Sequence, residues 1–368
     1  MKIFKLFILL ILNLFSIAKT NAQAIQNDSI KLDYTKIYAL ALDGNPKSAL
    51  PLLDIDPTKK IAQKDLQFKS NFENRFKFEE DKSDFLETRK SKMDELLKIY
   101  RDYWRLSFLN KENKNDTLMM KNVSDFLKAN FSAAKNLTIN EDSIDVYQKK
   151  YISSLGYHTT GFGKTGNLYD LLVWKTEKDT IYKLNYDGKE TLVKIYFMDD
   201  FITLGWSEYA TLGRYYPAGW ATNEALFCVK KAYDLKSEAF KVSYLGHEGR
   251  HFADYKLFPQ LKGIGSADLE YRAKLTELAL YKTENEILKR VGFFINNANY
   301  DSQNGHSIAA FCVIRDLSKE LFNTDFEKDL EKWKTIPLQK INKTASKILD
   351  ENTKSLKKIP NVEKFIKQ

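Results

Sequence analysis

Histidine and cysteine are both scarce here: the 368 residues include 4 His and 2 Cys. Two cysteines exclude a disulfide-stapled scaffold and any Cys-rich zinc module. They allow at most one disulfide, Cys228 with Cys312, yet each sits in an apolar run, ALFCV and AAFCVI, where a buried free thiol is equally compatible. Long apolar runs are also missing after Phe15, which excludes a later membrane span. Concentrated blocks of Lys or Arg are absent too. The formal net charge is +9, but basic and acidic residues alternate, as in KTEKDTIYKLNYDGKE, so a solvated surface accounts for the charge and no nucleic-acid partner is expected. No internal repeat or long low-complexity linker interrupts the chain.

What is present begins with MKIFKLFILLILNLFSIAKTNAQA: a short basic start, an apolar run from Leu6 to Phe15 broken by Asn13, then small residues at Ala22 and Ala24. This pattern predicts a secretory signal peptide over residues 1–22 and an exported protein, periplasmic or extracellular. No Cys follows it, so a lipoprotein anchor is not indicated. Its removal takes away Lys2, Lys5 and Lys19 and leaves a mature charge of +6. With 43% hydrophobic and 13% aromatic residues, the remainder reads as a packed globular protein with a ring-rich core.

The pattern along the chain predicts an α+β fold. Residues 23–150 repeat apolar side chains every three or four positions, as in DFLETRKSKMDELLKIYRDYWRLSFL, and read as a helical N-terminal domain. Residues 178–235 read as a small antiparallel sheet, with a hairpin turning at Asp187-Gly188 and a further strand EALFCVKKAYDL that could offer an edge to an extended peptide. Helices follow over 238–294: one from Phe240 to Phe258, stopped by Pro259, and a long one capped by Ser266, with Leu269, Ala273, Leu280 and Ile287 in one stripe to about Arg290. Two C-terminal helices are expected, Ser307 to Phe322 and Pro337 to Lys357.

Half of the histidines fall in SYLGHEGRHFADY. His247 and His251 are one helical turn apart, so both imidazoles leave the same face and can reach one ion at about 2.0–2.1 Å. Glu248, turned about 100° from His247, stands where a base takes a proton from a water on the metal. Leu245, Gly249 and Phe252 form the back of this helix, and Gly249 there implies close approach of a neighbouring element.

HEGRH, followed after eighteen residues by Glu270 in SADLEYRAKLTEL, resembles the gluzincin metallopeptidases, the thermolysin and zinc-aminopeptidase clan. The resemblance implies a zincin-like catalytic domain over 151–368, with Zn2+ held by His247, His251 and Glu270, and Glu248 as general base. It also implies hydrolysis of peptide bonds in a peptide or protein substrate. No glycine-rich GAMEN-like exopeptidase signature is found, so endo- and exopeptidase both stay open.

Other assignments compete. Glu270, Glu277 and Glu284, spaced by seven, could form a solvated acidic stripe, and about 10.5 Å between Glu270 and Glu277 lets only one of them join the two histidines. The distance from His251 favours Glu270. Asp254 is placed as a partner orienting an imidazole. His306 is the preferred donor to a developing oxyanion, with His158, Tyr300 and Tyr271 as alternatives. GFGKTG, residues 161–166, has the glycine spacing of a dinucleotide fingerprint but lacks its flanking strand and helix, and reads as a turn. From a different class, a non-catalytic exported binding protein with a structural or vestigial metal site is the alternative function.

Overall fold

The computed structural model describes residues 29–56, 60–83, 92–110, 115–186, 189–222, 224–259, 261, 267–302, 304–358 and 366. The expected signal peptide, the Asp187-Gly188 turn and the Ser266 cap lie outside the described residues. The fold is α+β. No helix among the described residues is long and apolar enough to cross a membrane. The chain divides into two compact units: residues up to Thr176 with Asp199–Pro217, and Glu177–Met198 with the residues from Ala218 onward. Residues 151–176 belong to the same unit as the N-terminal helices.

Unit 1 is built on α1 (Tyr34–Leu42), α2 (Gln63–Phe76), α3 (Lys92–Leu109), α4 (Asp116–Asn130) and α5 (Glu141–Ser154). Asp33, Asn115 and Asn140 start α1, α4 and α5, each accepting a backbone N–H from three residues on. The short strands β1 (Ser29–Ile30) and β2 (Lys60–Ile61) pair in parallel. β3 (His158–Thr159), β4 (Gly163–Thr165), β5 (Leu168–Asp170) and α6 (Trp206–Ala210) also belong to unit 1, and the long strands β6 (Leu172–Tyr186) and β7 (Lys189–Leu204) have residues in each unit. β4 and β5 form a hairpin with Gly166 at φ +62°, so GFGKTG enters a strand and a turn and not a phosphate loop. The core is ring-rich, with Phe72, Phe76, Phe108 and Tyr209 in successive edge and stacked contacts.

In unit 2, β8 (Gly219–Ala221) pairs antiparallel with β9 (Leu226–Val229), and β9 pairs parallel with β7, Ile195 opposite Leu226. The sheet is therefore mixed and not purely antiparallel. β9 is shorter than EALFCVKKAYDL and lies between β7 and β8, so it offers no free edge to a peptide. Chain hydropathy does not show this, because β8 is three residues in a Pro- and Gly-containing stretch.

A wide π-helical segment, Phe240–Gly246, runs directly into α7 (His247–Leu257). The expected long helix is two helices, α8 (Ala267–Leu280) and α9 (Glu284–Asn297), parted at 281–283, where Asn342 donates to the Leu278 and Tyr281 carbonyls. α10 (Gly305–Phe322), α11 (Leu330–Lys334) and α12 (Leu338–Leu356) complete the unit. α8 is covered by α7, α10 and α12, so every residue from Asp268 to Leu278 is buried. The solvated acidic stripe is thereby excluded: Glu270 and Glu277 are 0% and 2% exposed, and Glu284 begins another helix.

The back of α7 behaves as its glycine implies. A Cβ at Gly249 would stand 2.0 Å from Tyr186 Oη, and that hydroxyl donates to the Leu245 carbonyl at 2.8 Å. Close approach of β6 fixes the face from which the histidines point away. Cys228 and Cys312 are both buried and are not joined in a disulfide.

Candidate metal centre

The front of α7 carries His247 and His251, whose Nε2 atoms are 3.2 Å apart. Burial in the first turn of α8 brings Glu270 between them, Oε2 lying 3.5 Å from His247 Nε2 and Oε1 3.1 Å from His251 Nε2. For donors about 2.0–2.2 Å from a tetrahedral zinc, neighbouring donors stand about 3.3–3.5 Å apart. The three observed spacings are of that size, the two to Glu270 running to different carboxylate oxygens. Glu270 Oε1 and His251 Nε2 are close without a hydrogen bond between them, and Oε1 is buried with no other partner among the described residues. Two imidazole nitrogens and a carboxylate oxygen converging in this way suit a divalent cation.

Glu277 performs a different task from its neighbour one heptad earlier. Its Oε1 is 2.8 Å from His247 Nδ1, the nitrogen turned away from the cluster. A proton on Nδ1 donated to Glu277 leaves the Nε2 lone pair facing His251 and Glu270, which is the arrangement of a carboxylate that orients a metal-bound histidine. Arg290 from α9 holds Glu277 in turn, Nε to Oε2 at 2.9 Å. Burial would raise the Glu277 carboxyl, but Arg290 and then His247 hold it below the usual range. If the cluster holds a divalent cation, replacing Glu277 by Gln should weaken its binding about 10- to 100-fold. Competition against a graded chelator checks this, and unchanged affinity would remove Glu277 from that role.

The remaining charges converge on Glu270. Its Oε2 lies 2.8 Å from His306 Nδ1 and 3.3 Å from Lys274 Nζ. Burial works to raise this carboxyl, but His306, Lys274 and His247 hold it well below its ordinary value. Burial likewise lowers the His251 imidazole, whereas Glu270 and Glu277 outweigh burial at His247 and lift it to about 9.

Glu248 stands apart from these pairs. It is 0% exposed, and neither carboxylate oxygen has a hydrogen-bond partner among the described residues. Burial pushes its carboxyl up to about 8, toward the range where a group can both take and return a proton near neutrality. A cation at the adjacent donors would favour its charged form.

The structure thus brings together His247, His251, Glu270, Glu248 and His306. The other sequence candidates go elsewhere. Asp254 does not meet an imidazole: Arg272 Nε and Nη2 hold its two oxygens at 2.7 and 3.0 Å. Tyr271 donates to Asp316 at 2.6 Å, Tyr300 packs on Phe311, and His158 belongs to unit 1, where it stacks on Trp174. Three participants escaped the sequence reading: Lys274, Arg290 and Tyr255. Tyr255 follows His251 at the same four-residue interval that links the histidines, and its ring stacks on His251. Lys274 stands at that interval from Glu270, so both had a readable signal.

Neither a protein-family model, nor a curated protein, nor a solved structure matches this chain.

Proposed function

We propose that the chain is an exported zinc-dependent hydrolase that cleaves peptide bonds. One observation carries this reading: three buried side chains able to ligate one ion converge beside a buried glutamate, one residue along from His247 on the helix, whose oxygens have no hydrogen-bond partner among the described residues. His247, His251 and Glu270 would hold a zinc ion, which when bound would supply Lewis-acid polarisation of a carbonyl and a more acidic water. Glu248 accepts the proton of the attacking water and passes it to the leaving amine. Glu277 fixes the His247 tautomer. His306 retains 31% exposure of its side chain, so it can hold Glu270 and present a ring edge to negative charge developing on the substrate.

The sequence resemblance to the gluzincins supports a peptide substrate, and the amino-terminal pattern supports export. Metal content by elemental analysis tests the centre. The full mature chain should carry about one zinc, lost in both His247→Ala and Glu270→Ala. Protein that takes up no zinc even after reconstitution would return the two histidines to a structural role.

A further inference from the structure

For most of its length β6 runs along the edge of the mixed sheet. Its neighbours are β3 and β7, and β3 pairs with it only at Val173 and Trp174. Among the described residues no turn or loop backbone bonds to the stretch from Lys178 to Asn185. Lys178, Asp179, Thr180 and Ile181 are exposed in succession, so neither face of the strand is covered there. This stretch lies within unit 2. A long edge with unpaired N–H and C=O groups is a template for another strand, and proteins commonly blunt it with charge. This edge carries both signs, and their order matters.

Asp179, Ile181 and Lys183 alternate along β6 and so share one face. On that face Asp179 pairs with Lys194 at 2.7 Å and Lys183 with Glu190 at 3.4 Å, both across to β7. Ile181, between the two charges, is 65% exposed, and Leu192, between Glu190 and Lys194, is 58% exposed. Two copies meeting antiparallel along this edge are related by a two-fold axis perpendicular to the sheet, which sets one residue opposite its own copy. Centred on Ile181, the register places Ile181 against Ile181 and each Asp179 against a Lys183, with Thr180 against Tyr182 on the other face. Centring on Asp179 or Lys183 opposes like charges. Centring on Thr180 or Tyr182 sets Ile181 against a charged side chain. One register in this stretch therefore matches both charge and hydrophobicity.

We propose that the chain forms a symmetric dimer by antiparallel pairing of β6 with β6 of a second copy, centred on Ile181. Backbone hydrogen bonds and the apolar contact at the axis supply the attraction. Exposed ion pairs add little affinity but penalise other registers. A carboxylate accepts from several donors, so Asp179 keeps Lys194 while it takes up Lys183 of the second copy. The surface is separate from the histidine cluster, and the pairing needs no metal.

Sedimentation equilibrium of the full mature chain tests this. The wild type should pass from monomer to dimer as its concentration rises through the micromolar range. Ile181→Lys sets two ammonium groups at the axis and should weaken association about 10-fold or more. Asp179→Lys and Lys183→Asp should each do the same alone, since each opposes like charges in its own dimer. Mixed, these two variants should pair with each other at near wild-type affinity, because both cross-strand pairs are then of opposite sign. All three positions are exposed, and circular dichroism confirms that each variant is folded. A wild type that stays monomeric would overturn the proposal and leave the edge to an unlike chain. So would a dimer indifferent to Ile181→Lys, or charge variants that fail to pair when mixed.

Discussion

In the proposed hydrolase, replacing Glu248 by Gln should leave zinc bound and lower peptide hydrolysis by about 10²- to 10⁴-fold. The side chain keeps its shape and its place in α7, so His247 and His251 on that helix and Glu270 on α8 are undisturbed. What is lost is the ability to take a proton, because an amide is not a base near neutrality. The fall should lie in kcat, since the proton moves in the transition state and not in the ground state. Measuring zinc content and hydrolysis on the same sample separates this outcome from loss of the metal. A Glu248→Gln enzyme of undiminished rate would end the proposed chemistry, whatever its zinc content. The buried amide could also find partners that the two uncommitted carboxylate oxygens lack, so stability should hold or rise slightly.

The second large effect is structural. Arg272 is 0% exposed and binds Asp254, also 0% exposed, through two parallel hydrogen bonds, while its Nη1 donates to Asn352 Oδ1 at 2.8 Å and Thr353 Oγ1 at 3.0 Å. One guanidinium therefore ties α8 to α7 and α12. Arg272→Met strips the main partner from a buried carboxylate and should cost about 3–5 kcal/mol in urea unfolding. Changing both members, Arg272→Met with Asp254→Leu, removes the orphaned charge and should recover much of that loss. A single variant that unfolds within about 1 kcal/mol of the wild type would show that the pair is not a principal tie of unit 2.

The centre was legible in the sequence to the extent that it is local. Two histidines one turn apart declare a shared face wherever that helix lies, and Gly249 declared contact on the back. Glu270 and Glu277 could be distinguished only by distance from His251, because a heptad spacing gives both the same side of α8. Their actual difference, one facing two Nε2 atoms and the other the Nδ1 of His247, depends on how α8 crosses α7. That crossing is tertiary information.

The same cause explains the misread elements. α8 is buried on all sides and takes its charged residues into ion pairs, so it shows no polar face, and its stripe appeared to continue through the break at 281–283 into α9. β9 seemed available as an edge because a single sequence carries no sign that β8, three residues long, covers it. Asp254 is three residues from His251 in sequence, and the Arg272 guanidinium that claims it comes from another helix. The ring-rich core and the α+β class needed no such long-range facts, only composition and period.

Asp268, Glu270, Arg272, Lys274 and Glu277 are all buried on α8, which makes the folding equilibrium of unit 2 a readout of its ionic contents. A cation that binds the folded unit and not the open chain adds RT ln(1 + [M]/Kd), about 2.7 kcal/mol at a hundred times Kd. Loading and folding are then one thermodynamic event. A chain folding without such a cation would still gather Glu270 beside Lys274 and His306 and Glu277 beside Arg290, but it would forgo that increment of stability.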